Sequence, residues 1–236
     1  MDIGEIVEIE RSQTIGTDGY KIRAKPVTTA RKAPDEQQIR DTFQTPNYAI
    51  DLLIPFIPKH ITHVWECASG GRKISRRLIE AGYTVSESDI QEAEPHVGKF
   101  NFITEKLGFK LSESWSIITN PPFSIKDLFI SKCFDYKVPF ALLINADYSQ
   151  WQIDLIRRGC EKIIPTSRIA YITPHTVKRV NDAEGTDFIS IDQIPMEFLY
   201  KYSNAQFHSM WLTYGFNLGK TETFVDLTSE QRRFNI

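Results

Sequence analysis

The sequence has few cysteines, no long apolar run and no excess of basic residues, and each absence narrows the class of protein. Its three cysteines, Cys67, Cys133 and Cys160, show no CxxC spacing. They argue against a zinc site or a disulfide framework and indicate a reduced compartment. The apolar runs are no longer than a strand, so no signal peptide or membrane span is predicted. We therefore expect a cytoplasmic protein with no metal site.

Basic residues are outnumbered in this chain. It has 28 Lys and Arg against 30 Asp and Glu, which gives a net charge of −2. Proteins that cover a large nucleic-acid surface are usually more basic, so only a local basic face is compatible with such a partner. Lys178 and Arg179 form one of several small basic patches. A solvated helix end is the alternative interpretation of each patch.

The length of 236 residues suits one α/β domain. Residues 1–40 are polar and aperiodic, which predicts a partly flexible N-terminal extension. Strands and helices alternate over residues 41–220 and predict a catalytic domain with a doubly wound, mostly parallel sheet of about seven strands and helices on both faces. Weak periodicity over residues 176–205 predicts an inserted loop region with one short strand or helix, and residues 221–236 are predicted to be a C-terminal tail.

Hydrophobic periodicity gives the individual elements. The predicted strands cover residues 63–67, 83–90, 100–104, 115–119, 139–145, 162–165, 168–172 and 207–216. The predicted helices cover residues 47–56, 73–81, 125–136 and 150–158.

A turn of small residues, Glu66-Cys67-Ala68-Ser69-Gly70-Gly71, links the first predicted strand to a helix. Small side chains let the backbone approach a ligand closely and leave helix N-terminal amides free. The spacing is not that of the GxGxxG dinucleotide fingerprint. Asp89 ends the next predicted strand, where a carboxylate can accept both hydroxyls of a ribose. A plain tight turn and a helix-capping aspartate are the alternatives.

The most specific signal is Asn120-Pro121-Pro122-Phe123, directly after a predicted buried strand. Two prolines remove two backbone donors and stiffen the turn. The side-chain oxygen of Asn120 and the carbonyl of Pro121 can both accept from one amino group. Phe123 supplies an aromatic face for a planar base. The pattern therefore favours chemistry on an amine attached to a planar group.

The Asn-Pro-Pro-Phe turn resembles the catalytic motif of amino-group methyltransferases, which act on adenine, cytosine or glutamine amides. Residues 66–71 resemble their cofactor-binding motif, and Asp89-Ile90 resembles their ribose-binding acid. Phe43-Gln44-Thr45-Pro46 is similar to the Thr-Pro segment that closes over the methionine end of the cofactor. This motif order resembles the gamma arrangement of DNA adenine methyltransferases, in particular small phage and prophage enzymes, over about residues 43–216.

The resemblance implies a Rossmann-like class I methyltransferase fold, S-adenosyl-L-methionine as cofactor and the exocyclic amine of adenine in DNA as substrate, in a bacterial or phage-infected cell. The implied cofactor-binding residues are Thr45, Pro46, Glu66, Ala68, Gly70, Asp89, Ile90, Asn101 and Phe102. The implied catalytic residues are Asn120, Pro121, Pro122 and Phe123, with Lys178 and Arg179 as nucleic-acid contacts. The chain departs from the family at Gly71-Arg72, where a Gly-acid-Gly pattern is common, and at Asn101, where an acid is common.

Other functions remain open. The same turn serves RNA adenine and protein glutamine methyltransferases, and the two departures allow a methyltransferase-like protein that has lost catalysis. The short region at 176–205 predicts a short or relaxed sequence preference, because few base contacts fit on it. A monomer and a dimer are both compatible with the sequence.

Overall fold

The computed structural model describes residues 43–91, 97–189, 193–202 and 207–227. All of them belong to one of the two units into which the chain divides, Lys32–Ile236. The predicted extension, residues 1–40, lies outside the described residues, as do residues 228–236 of the predicted tail. Within the described ranges, no helix is long and apolar enough to cross a membrane.

A single sheet of eight strands is the framework of the described part of the chain. Its strands are β1 (His63–Glu66), β2 (Thr84–Asp89), β3 (Gly98–Lys99), β4 (Trp115–Thr119), β5 (Phe140–Asn145), β6 (Cys160–Pro165), β7 (Ser209–Tyr214) and β8 (Glu222–Val225). They lie in the order β3-β2-β1-β4-β5-β7-β6-β8. β7 runs antiparallel to β5 and β6, and the other neighbouring pairs are parallel. The strand order reverses direction between β1 and β4, so the predicted doubly wound, mostly parallel sheet is confirmed.

Helices cover both faces of this sheet. The α-helices of the described residues are α1 (Asn47–Asp51), α2 (Lys73–Glu80), α3 (Lys126–Tyr136), α4 (Gln150–Arg157), α5 (Pro174–Glu184) and α6 (Met196–Tyr202). Successive residues of a strand point to opposite faces, so Val64 packs in one apolar core and Trp65 in the other. α1 and α2 contribute to the first core, and α3 and α4 contribute to the second.

The sheet contains a strand that the sequence analysis does not predict. Residues 221–236 are predicted to be a tail, but Glu222–Val225 form β8 and pair in parallel with β6. None of these four side chains is buried, and Phe224 is 63% exposed. An edge strand whose side chains face solvent carries no alternation of apolar and polar residues, so its sequence does not reveal it.

Two predicted strands are wrong. Residues 101–104 form a turn, and the third strand lies earlier, at Gly98–Lys99. Oδ1 of Asn101 accepts from the amides of Ile103 and Thr104, at 3.1 and 3.2 Å, and such local bonds favour turns over strands. Residues 168–172 are outside the sheet, although Ile172 forms an isolated β-bridge with Gln44.

The region from 176 to 205 contains most of α5 and all of α6, instead of one short element. α5 begins after Thr173, which forms a capping box with Thr176. Val180 and Ile194 pack with Ile172 in a small apolar cluster of their own. Because this cluster buries few residues, the helical period is weak in the sequence.

Candidate active site at the carboxyl ends of β1 and β4

The reversal of strand order between β1 and β4 marks the expected ligand site, since doubly wound sheets bind ligands beyond the carboxyl ends of their strands at such a point. A cleft opens there between three segments of the chain. Residues from the Thr-Pro segment, the small-residue turn and the Asn-Pro-Pro-Phe turn line it: Thr45, Glu66, Ala68, Gly70, Asn120, Pro121 and Phe123. The fold thus brings the predicted motifs together around one cleft.

Glu66 is the last residue of β1 and is only 2% exposed. The hydroxyl of Ser75, on α2, donates to its carboxylate. Burial raises the pKa of the Glu66 carboxyl well above its usual range; hydrogen bonds from Ser75 oppose this shift, and the negative charges of Glu87 and Asp89 add to it. Burial therefore shifts this carboxyl toward its uncharged form, relative to an exposed glutamate.

The two glycines of the turn meet different constraints. Gly70 has φ +45°, in the left-handed region that costs other residues about 1–2 kcal/mol. At Gly71, an added Cβ would lie 2.2 Å from Oε1 of Gln44. Glycine therefore allows the side chain that precedes Thr45 to lie directly against the turn.

Arg72, a departure from the family pattern, has a structural role. Its φ of 59° is left-handed, and its guanidinium binds Glu87 through two nitrogens at 2.7–3.1 Å. The two side chains are 16% and 6% exposed, and a bidentate pair of this kind is strong and directional. The pair fastens the small-residue turn to β2.

Asp89, at the end of β2, is held against the same turn. Its Oδ2 accepts from the amide of Gly70 and its Oδ1 from the amide of Gln91, each at 2.9 Å. Each carboxylate oxygen has a second lone pair for a further donor, such as a sugar hydroxyl. Ile90, beside it, is 51% exposed.

The Asn-Pro-Pro-Phe turn follows β4 and leads through a short 3₁₀ turn into α3. Nδ2 of Asn120 donates to Oγ1 of Thr45 over 3.2 Å. Oδ1 of Asn120 is buried and has no hydrogen-bond partner among the described residues. An unsatisfied buried acceptor costs about 1–3 kcal/mol, so this atom suits an incoming donor. Pro121 is buried and Pro122 is half-buried.

Phe123 contacts two rings that the sequence analysis did not single out. Phe207 meets it edge-on, with ring centroids 5.0 Å apart and an angle of 76°, and Tyr171 meets it at 6.4 Å and 86°. The Tyr171 hydroxyl donates to Oγ of Ser209 over 2.9 Å. These residues come from distant segments, so no spacing in the sequence connects them to Phe123.

The remaining predicted cofactor residues differ in their positions. Pro46 is buried at the start of α1. The Phe102 side chain is only 2% exposed and stacks on Phe129 at 4.9 Å, so it belongs to the core and not to the cleft wall. Asn101 uses its side-chain oxygen to cap a turn. Of the predicted cofactor residues, Pro46, Asp89, Ile90, Asn101 and Phe102 are not among those that line the cleft.

The two predicted nucleic-acid contacts lie on α5 and have different environments. Lys178 is exposed. Arg179 is half-buried and donates to the carbonyl of Tyr202 over 3.0 Å, which ties α5 to α6. Of the two, Lys178 is the one whose side chain is exposed to solvent.

The three cysteines of the chain all lie within the described residues. Cys67, Cys133 and Cys160 are buried free thiols. Burial raises the pKa of the Cys160 thiol to about 12. Across the described ranges, no group of three or more His, Cys, Asp or Glu side chains is arranged to hold a metal ion.

The contribution of Glu66 to folding stability is expected to fall as pH rises. Its pKa is higher in the folded protein than the ordinary value of 4.5, so the native state binds this proton more tightly than the unfolded chain does. The stabilisation is fully present below the unfolded pKa and is lost as pH rises through the folded pKa. Glu66→Gln, which cannot ionise, is expected to lose this pH dependence. Urea denaturation of both proteins at a series of pH values from below 4.5 upward measures it, and identical slopes of stability against pH would contradict the expectation.

Comparison with known proteins gives a limited result. No protein-family model matches the chain, and no curated protein matches it. Among solved structures, the chain is similar to the candidate RNA methyltransferase PH1948 from Pyrococcus horikoshii, with 15% identity, a TM-score of 0.41 and coverage of 61% of this chain and 83% of that one. It is also similar to the 23S rRNA methyltransferase ErmE, with 10% identity, a TM-score of 0.42 and coverage of 82% and 75%. Both scores are below 0.5, so the fold class, a doubly wound Rossmann-like sheet, rests on the strand order of this chain itself.

Proposed function

We propose that this chain transfers a methyl group from S-adenosylmethionine to the exocyclic amine of adenine in DNA. The observation that carries the proposal is the buried Oδ1 of Asn120, which has no partner among the described residues. It belongs to a turn that lines the same cleft as Glu66 and Gly70. A buried acceptor without a partner can accept a hydrogen bond from an amino group and so hold that group beside a cofactor.

The cleft suits S-adenosylmethionine in its charges and its polar atoms. Glu66 lies where it can meet a positively charged group of the cofactor, and an ammonium beside it would favour the ionised carboxylate. Lys73, which also lines the cleft, offers a partner for the carboxylate of the cofactor. Oγ of Ser69 is a second buried polar atom without a partner in the described ranges. Asp89 would accept from the ribose hydroxyls.

The protein side chains would hold the amine, and the bound cofactor would supply an activated methyl: the nitrogen lone pair would form the new N–C bond as the S–C bond breaks, S-adenosylhomocysteine would leave with the bonding electrons, and the amine would lose one proton to water. Asn120 Oδ1 would accept one N–H of the amine, and the Pro121 carbonyl would accept the other. Two acceptors fix the nitrogen and raise its electron density. Phe123 offers its ring to the base.

Adenine in a duplex must leave the base stack to reach Phe123, at a cost of a few kcal/mol. Contacts to the DNA backbone have to offset that cost. α5 and α6 are the described helices between β6 and β7, and Lys178 on α5 is exposed for a phosphate. Because this pair of helices is short, it leaves room for few base contacts, which supports a short or relaxed sequence preference. DNA, and not RNA, is proposed because the motif order resembles that of DNA adenine methyltransferases.

Transfer of tritiated methyl groups tests the proposal directly. The full chain would be incubated with labelled S-adenosylmethionine and, in parallel, with unmethylated DNA, with tRNA and with a protein extract. Nucleoside mass spectrometry would then identify the product. We expect N6-methyladenine in the DNA, and the number of sites per kilobase reports how relaxed the sequence preference is.

The other outcomes separate the alternatives. Label in tRNA or protein but not in DNA would overturn the proposed substrate and retain the class of enzyme. Label in no substrate, together with no heat of cofactor binding by calorimetry, would overturn methyl transfer itself. The chain would then be a binding or structural protein with this fold.

A further inference from the structure

Two residues 75 positions apart in the sequence meet at the rim of the proposed amine site. Nδ2 of Asn120 donates to Oγ1 of Thr45 over 3.2 Å. Thr45 is 3% exposed. The other end of the same amide, Oδ1 of Asn120, is buried and unpartnered within the described part of the chain. One end of the amide is therefore held by Thr45, and the other is left for a ligand.

The orientation of this amide decides whether it can hold an amine. An asparagine side chain has a donor end and an acceptor end, and half a turn about its last bond exchanges them. With Nδ2 against Thr45, the acceptor end is left for an N–H. In the reverse orientation, an NH₂ group would meet the substrate amine and two donors would oppose each other. A hydroxyl can accept or donate, so Thr45 does not exclude the reverse orientation; it supplies the acceptor that Nδ2 needs in the productive one.

The segment that carries Thr45 is itself anchored. Gln44 and Ile172 exchange two backbone hydrogen bonds, of 2.9 and 3.1 Å. After Pro46, the hydroxyl of Tyr48 accepts from the amide of Ala170 over 2.6 Å. Backbone on both sides of Thr45 is thus tied to residues 170–172, so its hydroxyl occupies a defined position.

We infer that Thr45 is a positioning residue for Asn120: its hydroxyl accepts from Nδ2 and so keeps the acceptor oxygen available for the substrate amine. This inference rests on the proposed function, because it assigns a purpose to the orientation of the Asn120 amide. It is additional to any contact between Thr45 and the cofactor. A positioning role affects the rate of transfer, whereas a cofactor contact affects cofactor affinity.

Two measurements separate these roles. The single-turnover rate of methyl transfer at saturating cofactor reports positioning, and the cofactor dissociation constant reports a cofactor contact. We expect Thr45→Val to lower the rate about 10-fold, the scale of losing one hydrogen bond to a buried group, with little change in the dissociation constant. Thr45→Ser keeps the hydroxyl and is expected to restore most of the rate. In an Asn120→Ala background, Thr45→Val is expected to add no further loss.

Thr213→Val is the matched control. Thr213 is also fully buried, and its hydroxyl also makes one hydrogen bond, to the carbonyl of Glu161 at 3.2 Å. It lies on β7 opposite Ala141, near the amino end of β5 and away from the cleft. Its loss is expected to lower stability without changing the transfer rate.

A measurement that does not depend on the reaction completes the test. The side-chain NH₂ protons of Asn120, assigned in NMR spectra by their absence in Asn120→Ala, are expected to exchange slowly with water in the wild type and in Thr45→Ser. In Thr45→Val they are expected to exchange faster. Slow exchange in a protein that methylates nothing would support the Thr45 contact and overturn the proposed function alone. Unchanged exchange in Thr45→Val, an equal rate loss in Thr45→Ser, or an additive loss in the double variant would overturn the inference.

Discussion

Replacing Asn120 by alanine is expected to lower the rate of methyl transfer by about 10²–10³-fold, the range seen when one preorganised polar group of an active site is removed. The substitution removes the buried oxygen that lacks a partner among the described residues. The amine would then be held by the Pro121 carbonyl alone. Cofactor binding is expected to change little, because the cofactor is proposed to contact other residues of the cleft. Single-turnover kinetics with labelled cofactor and calorimetric binding measure the two quantities separately.

Asn120→Asp supplies the matched comparison for this prediction. The carboxylate keeps an acceptor where Oδ1 lies, and the Thr45 hydroxyl can turn to donate to it instead of accepting. Asp is therefore expected to lose less activity than Ala. Equal losses in the two variants, or a loss confined to cofactor affinity, would contradict the proposed role of the oxygen. Melting temperatures within a few degrees of the wild type would show that neither variant is simply unfolded.

Replacing Trp211 by alanine is expected to lower the free energy of unfolding by about 3–5 kcal/mol, the range for deletion of a large buried aromatic. Trp211 lies in β7 and is 0% exposed. Its indole Nε1 also donates to the carbonyl of Ala49, in α1, over 2.8 Å. The indole thus links the sheet to the helix that directly follows the Thr-Pro segment. Urea denaturation followed by circular dichroism measures the loss.

Two further substitutions separate the loss of the hydrogen bond from the loss of buried apolar volume. Trp211→Phe keeps most of the apolar volume but leaves the Ala49 carbonyl without its donor, so a smaller loss of about 1–3 kcal/mol is expected. Trp115→Ala is the control, since Trp115 is half-buried at the start of β4 and stacks on His63 with ring centroids 5.2 Å apart. A loss for Trp115→Ala as large as that for Trp211→Ala would mean that burial is not the cause.

The buried strands were predictable because the residues within each strand and directly beside it are enough to identify it. β4 has the predicted bounds, and β5 begins one residue after its predicted start. Such strands are short apolar runs bounded by turn residues, a local property. β8 was not predicted, because its own side chains are not buried and its pairing partner, β6, lies about sixty residues earlier in the sequence. The two described helices between β6 and β7 were not predicted, because they bury only a small apolar cluster that is separate from the main cores.

By itself, the sequence determined the alternation of strands and helices, the identity of the small-residue turn and the Asn-Pro-Pro-Phe turn, because each of these depends on residues adjacent along the chain. Only the tertiary structure decided how the motifs meet. It showed that Thr45 binds the amide of Asn120, that Arg72 pairs with Glu87 and that Phe102 belongs to the core. The physical reason is that hydrogen bonds, ion pairs and burial depend on distances in space, and these arise only when the sheet brings distant segments together.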